Sequence, residues 1–348
     1  MIRFILHIGY PKTGTTSLQK FLCEHRSYLI KRHKILYPKT ALDKASFSHF
    51  LIPASIQINR LDITHSLVQQ MLREIDDTEA KTVVLSSEFL IYPNLLKPFL
   101  TVLNSSVKTF PINSLEIVVY LRRQDLFLES TYKQDVKEEE VHSPISSYNW
   151  IPMLLYYDRF LYQLKQLLDE TIDKKIKTTI IPRPIPPRER FNTVADFIEN
   201  VLQSVPSSEI KAKLNQYKEN PSLSCESTLA LRRFNQCFSF SPRNVLSDLL
   251  RNVDSKRKNI LRYLYSTQQR IEILAKYEKS NIKFFKEWIS SSNLFTLSLS
   301  EIDQFKLHDE FVKANHKKIE EEIELRYKIL EKFAKNVTGA KMVPQKFT

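Results

Sequence analysis

A short loop with two glycines constrains the fold of this 348-residue chain more than any other feature. The chain has only three glycines, yet Gly9 and Gly14 lie close together near its N-terminus. The apolar run Ile2 to Ile8 precedes the loop, and apolar residues at helical spacing follow it over Thr15 to Tyr28. This order of strand, glycine loop and helix is typical of an α/β domain whose loop backbone binds an anion.

Two further apolar runs, Lys81 to Ser87 and Leu115 to Leu121, have the composition of strands buried on both faces. Ile176 to Ile181 is a fourth candidate strand. Four such strands separated by helical segments predict a three-layer α/β fold with a central parallel sheet. In such a fold we expect the ligand at the carboxyl ends of the strands.

A proline cluster and a long helical region predict the domain organisation. The segment PRPIPP at residues 182–187 follows the fourth strand, and we expect neither a helix nor a strand ladder to continue there. Helical spacing dominates beyond it, and Ile302 to Asn336 has one apolar face that suits a docked helix or a homodimer coiled coil. We therefore predict an α/β core over residues 1–190 and a large C-terminal helical region over 191–348, which completes the site and need not fold independently.

Composition limits the classes of partner and compartment. The net charge of +13 favours an anionic partner without choosing between a nucleotide, an acidic glycan, nucleic acid and a membrane surface. The three cysteines lack the spacing of a metal site and suit a reducing compartment. No apolar run approaches the ~20 residues of a membrane span, so we expect a cytoplasmic protein without a membrane span. We expect it to be a monomer or a homodimer. A lumenal enzyme without its membrane anchor would have the same features.

The loop residues Gly9 to Ser17 supply the groups that bind a phosphate. Backbone N–H groups and the helix dipole attract an anion, Lys12 adds a mobile positive charge, and the hydroxyls of Thr15, Thr16 and Ser17 add donors. A Walker A loop ends in Gly-Lys-Ser/Thr, whereas here the lysine precedes the second glycine by two positions. The difference disfavours ATP and GTP.

A second candidate anion site follows the strand Leu115 to Leu121. Arg122 comes directly after this strand, and Ser130 lies eight residues later on the next helical stretch. Arg122 can donate a charge-assisted pair of hydrogen bonds to a phosphate, and Ser130 can add a hydroxyl. Arg123 can assist Arg122, or it leaves the strand on the opposite face as a solvated or ion-paired surface arginine.

Together the PKTGTTSLQ loop and the Arg122/Ser130 pair resemble the PAPS-dependent sulfotransferase superfamily, particularly its bacterial members. The resemblance implies a P-loop-type fold and in-line transfer of a sulfuryl group from PAPS, without a metal, to an acceptor hydroxyl such as that of a carbohydrate. It implies that Arg122 and Ser130 bind the 3′-phosphate of PAPS and of the product PAP, and that Lys12 acts at the bridging oxygen. The loop residues that would bind the 5′-phosphosulfate are Pro11, Lys12, Thr13, Gly14, Thr15, Thr16 and Ser17.

Glu88 and His49 are the two candidates for the base that removes the acceptor proton. Glu88 follows the strand Lys81 to Ser87, and sulfotransferases that act on polysaccharides or tyrosine use a glutamate near such a position. Alternatively, Glu88 opens the next helix. Other members of the superfamily use histidine, which makes His49 in SFSHFL the second candidate, whereas His7 is expected to be a buried residue that shapes the site.

Other classes of function fit the sequence less well. A small-molecule kinase would need an aspartate at a strand end for Mg²⁺, and the strand ends here have serine or arginine. A non-catalytic binding protein with a P-loop-type fold stays open as an alternative. Nucleic-acid binding is suggested by the charge alone, with no motif, so we expect no nucleic-acid partner.

Overall fold

The computed structural model describes residues 2–107, 112–138, 141–148, 151–187, 191–203, 214, 217, 222–238, 243–257 and 261–338. Within these residues the chain is an α/β protein that is mostly helical. Its strands are β1 (Ile2–His7), β2 (Ile35–Leu36), β3 (Thr82–Ser86), β4 (Ile112–Leu121) and β5 (Lys177–Pro184). Its helices are α1 (Thr15–Glu24), α2 (Arg26–His33), α3 (Leu51–Gln57), α4 (Leu61–Asp76), α5 (Pro93–Val107), α6 (Gln124–Lys137), α7 (Tyr157–Thr171), α8 (Thr193–Asp196), α9 (Cys225–Cys237), α10 (Arg243–Lys256), α11 (Thr267–Phe284), α12 (Leu299–Ala314) and α13 (His316–Thr338).

The five strands form one sheet in the order β2-β3-β1-β4-β5, and every pairing is parallel. The central strand β1 is almost entirely buried, because its side chains are apolar on both faces of the sheet. Helices α1 and α8 pack on one face, while α4, α5 and α7 form a second helical layer. The predicted three-layer α/β fold with a C-terminal helical region is confirmed.

The core under α1 and α8 holds the loop end of β1 in place. Val84 of β3, Ile5 of β1 and Val118 of β4 meet the apolar face of α1, where Leu18 and Phe21 are fully buried. Burial of such side chains stabilises the fold by about 1.5–3 kcal/mol each. Because α1 is fixed on the sheet, the loop that connects it to β1 begins and ends at fixed points.

The chain divides into two compact units, each discontinuous in sequence. The first unit contains residues 1–122, 153–219 and 280–294, and includes the whole sheet. The second contains residues 123–152, 220–279 and 295–348, in which α9 packs against α6 and α13. These breaks differ from the predicted boundary at residue 190, because the chain leaves the first unit directly after Arg122 and returns to it twice.

The prediction that the proline cluster ends the strand is wrong. Strand β5 continues through Pro182 and Pro184 and pairs with β4 as far as Leu121. Ile185 donates its N–H to the carbonyl of Leu121. The backbone N–H and carbonyl groups of the odd-numbered residues of β5 therefore point towards β4, and those of the even-numbered residues point away from it. Both prolines therefore stand at outward positions of an edge strand, where no ladder bond needs their missing N–H.

The apolar stretch Ile302 to Asn336 forms two helices instead of one. Helix α12 ends at Ala314 and α13 begins at His316, with Asn315 outside the helical conformation between them. A capping box of Ser298 and Glu301 fixes the start of α12. Among the described residues, no helix is both long enough and apolar enough to cross a membrane.

Candidate functional site

The loop between β1 and α1 adopts a tightly curled backbone. Lys12 and Gly14 both have left-handed conformations, with φ of 64° and 88°. The Thr13 hydroxyl donates to the Tyr10 carbonyl at 2.6 Å and closes the turn. Gly14 occupies the N-cap of α1 and makes no side-chain cap hydrogen bond, and the N–H groups of a first helical turn can bind an anion.

Both loop glycines stand where the chain leaves no room for a Cβ atom. A Cβ at Gly9 would lie within 3 Å of the Thr15 methyl group, and a Cβ at Gly14 would lie within 3 Å of the Thr193 side chain. The Thr193 hydroxyl donates to the carbonyl of Thr13 at 2.7 Å. The scarce glycines therefore meet a steric need of this loop, as the sequence indicates.

Arg122 lies beside the loop at the end of β4. Its Nη1 donates to the Lys12 carbonyl at 3.1 Å, and its own carbonyl accepts the Tyr157 hydroxyl at 2.5 Å. Among the described residues, Arg122 makes no ion pair with a carboxylate. No carboxylate of the described residues therefore neutralises the charge of this half-buried guanidinium.

The neighbouring Arg123 has a different role, within the second unit. Its guanidinium is fully buried and donates to Asp125 at 2.7 Å and to Glu301 at 2.8 Å. Asp125 also accepts from the buried Arg270 at 2.8 Å. Since all these charges are paired in the interior, Arg123 is part of a structural ion network.

Glu88 lies next to the loop. It stands two residues beyond β3 and opens a short 3₁₀-helix, Glu88–Ile91, as the alternative interpretation of this residue predicts. Its Cγ is 3.5 Å from the position that a Cβ of Gly9 would take. The half-buried carboxylate is therefore at the carboxyl edge of the sheet together with Lys12 and Arg122.

His49 is fully buried and both of its ring nitrogens are occupied. Nδ1 accepts the N–H of Ser86 at 3.2 Å, so Nε2 carries the proton and donates to the Pro38 carbonyl at 3.1 Å. Burial lowers the pKa of His49 to about 4. These contacts fasten the 38–50 segment to the end of β3 and leave neither ring nitrogen of His49 without a hydrogen bond.

His7 lies beneath the loop at the end of β1. Its Nδ1 is 2.8 Å from the Ser86 hydroxyl, which also accepts from Gln19 at 3.1 Å. Its Nε2 is buried without a hydrogen-bond partner, and burial lowers the pKa of His7 to about 3. The ring packs edge-on against Tyr120 and Phe197, in accordance with the predicted buried role.

The remaining predicted residues differ in their surroundings. Thr13 and Thr15 are buried, whereas Pro11 and Ser17 are half-buried and Thr16 is exposed at the start of α1. Ser130 is half-buried on α6, which belongs to the second unit. No group of three His, Cys, Asp or Glu side chains in the described ranges is arranged to hold a metal ion.

Sequence reasoning missed the part of the site formed by α8. Asn192 caps this helix by accepting from Val194 and Ala195, and so places Thr193 against the loop. The local signal was the Asn-Thr pair before an apolar helical run, which marks a helix start. The sequence could not show that this helix start contacts a loop 180 residues earlier in the chain.

No family model matches this chain. A curated protein of Archaeoglobus fulgidus, described as an uncharacterized protein, is 35% identical to it over 222 residues. The match covers 62% of this chain and 57% of the archaeal protein, so the chain spans little more than half the length of that relative.

The steric fit at Gly9 predicts a rescue by a second substitution. Gly9→Ala should lower the free energy of unfolding by about 1–3 kcal/mol, because the new methyl group meets the methyl group of Thr15. Gly9→Ala combined with Thr15→Ser should recover most of this loss, since serine lacks that methyl group. Urea unfolding of both proteins, with Thr15→Ser alone as the control, tests the fit. A double variant no more stable than Gly9→Ala would contradict it.

The buried His49 predicts a loss of stability in acid. The unfolded chain protonates this histidine near its reference pKa of ~6.5, whereas the folded chain does so only near a pKa of about 4. The free energy of unfolding should therefore fall as the pH drops from about 6.5 towards about 4. His49→Gln can keep both hydrogen bonds and should reduce this fall by about 2–5 kcal/mol. Urea unfolding at several pH values measures the fall, and equal pH profiles for the two proteins would refute the prediction.

Proposed function

We propose that this protein is a PAPS-dependent sulfotransferase that moves a sulfuryl group from PAPS to an acceptor hydroxyl. The observation that best supports the proposal is the position of Arg122, a cation without a carboxylate partner in the described chain, against the backbone of the Lys12 loop. An anion with two phosphate groups needs two adjacent cationic sites. The loop and Arg122 supply them within the first unit.

The loop suits the 5′-phosphosulfate of PAPS. Its curled backbone leads into the uncapped first turn of α1, where N–H groups and the helix dipole favour an anion. Lys12 contributes an ammonium group next to this turn. In the proposed reaction, Lys12 stabilises the negative charge that develops on the oxygen bridging sulfur and phosphorus.

Arg122 suits the 3′-phosphate that distinguishes PAPS and PAP from ADP and AMP. A guanidinium can donate two parallel hydrogen bonds to a phosphate, and Tyr157 and Lys12 hold the Arg122 backbone and side chain in place. Ser130, the other residue assigned to this phosphate by the resemblance, stays a prediction.

Glu88 is the proposed base. Its carboxylate takes the proton of the acceptor hydroxyl while the acceptor oxygen forms a bond to sulfur. The bond between sulfur and the bridging phosphate oxygen breaks on the opposite side, and PAP leaves with the electron pair. His49 cannot take this proton without losing the hydrogen bond that its Nδ1 accepts from Ser86.

An apolar surface beside Glu88 suits the body of the acceptor. The rings of Phe50 and Phe89 pack 4.9 Å apart, and Phe89 and Leu51 remain exposed. The carbon face of a sugar ring can pack on such a surface, so a carbohydrate stays our proposed acceptor class. We also propose a cytoplasmic location, since Cys23, Cys225 and Cys237 form no disulfide.

Nucleotide binding tests the proposal directly. Calorimetry should show much tighter binding of PAP than of ADP, because ADP lacks the 3′-phosphate. Arg122→Ala should weaken PAP binding by about 1.5–3 kcal/mol, the range of a hydrogen bond to a charged group, and leave ADP binding nearly unchanged.

Arg73→Ala is the matched control, since Arg73 is an exposed arginine on α4 and its loss changes the net charge equally. PAP affinity should not change in this control. Equal affinity of the wild-type protein for PAP and ADP would overturn the proposed function. A loss of PAP affinity as large for Arg73→Ala as for Arg122→Ala would show a general charge effect.

Turnover separates the two candidate bases. Glu88→Gln keeps the size of the side chain and removes its basicity, so it should lower turnover at least about 10²-fold with PAP affinity unchanged. His49→Gln should lower turnover much less, since glutamine can keep the two hydrogen bonds of the buried imidazole. Transfer of labelled sulfate from PAPS to a panel of glycans and small alcohols measures both. A larger loss for His49→Gln would make His49 the base.

A further inference from the structure

A cavity lies within the first unit, away from the loop. It has a volume of about 290 Å³ and is bounded by α7, by the middle of β5 and by the π-helical turn Phe285–Ile289. Thr178 to Ile180, which line it, pair with Leu115 to Ile117 of β4. The loop and Arg122 lie beyond the other end of these strands. The cavity is therefore a separate candidate site.

One wall of the cavity is the unpaired edge of the sheet. The even-numbered residues of β5 turn their backbone groups away from β4, as the bond from Ile185 to Leu121 establishes. Thr178 and Ile180 each present an N–H and a carbonyl at this edge, and neither has a backbone partner among the described residues. Such an edge can accept one further strand.

The sequence of β5 limits this open edge to a short length. Pro182 and Pro184 occupy the next two outward positions and have no N–H to donate. An added strand can therefore pair fully only beside Lys177 to Ile181, a length of about 16 Å at ~3.3 Å per residue. Thr178 to Ile180, the residues of β5 that line the cavity, lie within this open part of the edge.

The opposite wall offers an aromatic surface. Trp288 is half-buried, and its indole Nε1 is buried without a hydrogen-bond partner. Its ring packs at 5.5 Å against Tyr162, whose hydroxyl donates to Glu287 at 2.6 Å. The part of the indole ring that lines the cavity gives a bound side chain an apolar surface.

The residues that line the cavity carry a net negative charge, whereas the whole chain carries a net positive charge. Asp169 and Glu287 contribute two carboxylates, whereas Lys165 contributes one cation. Asp169 has no ion-pair partner within the described residues. In a chain of net charge +13, this locally acidic lining favours a basic side chain of the ligand.

We propose that this cavity binds a short extended peptide with basic and apolar residues, which adds as a strand to the open edge of β5. The backbone of the peptide pairs with Thr178 and Ile180, a basic side chain lies near Asp169, and an apolar side chain packs on Trp288. Main-chain pairing provides the affinity and the side chains provide the selectivity, as in other cases of strand addition. The site is independent of the proposed sulfotransferase activity.

Calorimetry with synthetic peptides tests the proposal. A capped pentapeptide of alternating valine and lysine should bind the full chain saturably below about 1 mM. The same peptide with N-methylated backbone amides should bind at least tenfold more weakly, because it cannot pair with the strand. A peptide with glutamate in place of lysine should also bind at least tenfold more weakly.

A proline substitution in β5 tests the same backbone pairing by changing the protein instead of the peptide. Ile180→Pro places a third proline at an outward position and should reduce peptide affinity at least tenfold, whereas the control Ile180→Val should keep it. Circular dichroism and urea unfolding check that the variant is folded. Unchanged affinity for the N-methylated peptide, or no binding of the lysine peptide to the wild-type protein, would overturn the proposal. Binding of a neutral glycoside instead, with emission of Trp288 perturbed, would assign the cavity to carbohydrate and overturn it equally.

Discussion

The parallel register of β1 with its two neighbours determines where the residues of the candidate site lie. His7 stands opposite Ser86 on one side and Val118 on the other, so three chain segments leave the sheet at the same edge. Gly9, Glu88 and Arg122 meet there because each follows one of these strands by a few residues. A slip of one residue would turn every side chain of a strand to the opposite face of a buried sheet, which makes this register strongly specified.

Hydrogen bonds to the loop backbone offset the cost of its conformation. A left-handed Lys12 costs roughly 1–2 kcal/mol, since it has a Cβ. Arg122 donates to the carbonyl of Lys12, Thr193 donates to that of Thr13, and each such bond contributes about 0.5–1.5 kcal/mol. The strained backbone persists because side chains from β4 and α8 hold it. Strain held in this way is common where a backbone binds a ligand.

The sequence predicted those parts of the structure whose signals are local. The strands β1, β3 and β4, the glycine loop and the position of Glu88 after β3 follow from composition over a few residues, and the structure has them where expected. We did not predict that β5 continues through Pro182 and Pro184. A strand tolerates proline where its missing N–H would point away from the neighbouring strand, and the sequence does not show which side of β5 lacks a neighbour. The contact of Thr193 with the loop was missed because it joins segments that are distant in sequence. Strand β2 has two residues, too few for any periodic pattern.

The adjacent Arg122 and Arg123 show why residue type alone does not identify a binding residue. Both follow β4 and carry the same charge, but they differ in burial and in the carboxylates around them. Arg123 is enclosed by Asp125 and Glu301, and removing one member of a buried ion pair of this kind costs about 3–5 kcal/mol of stability. Arg122 bonds to a neutral carbonyl, which leaves its charge uncompensated by the described chain at the edge where the loop presents its N–H groups. An anion bound at this edge would supply the compensating charge that Arg123 already obtains from the protein itself.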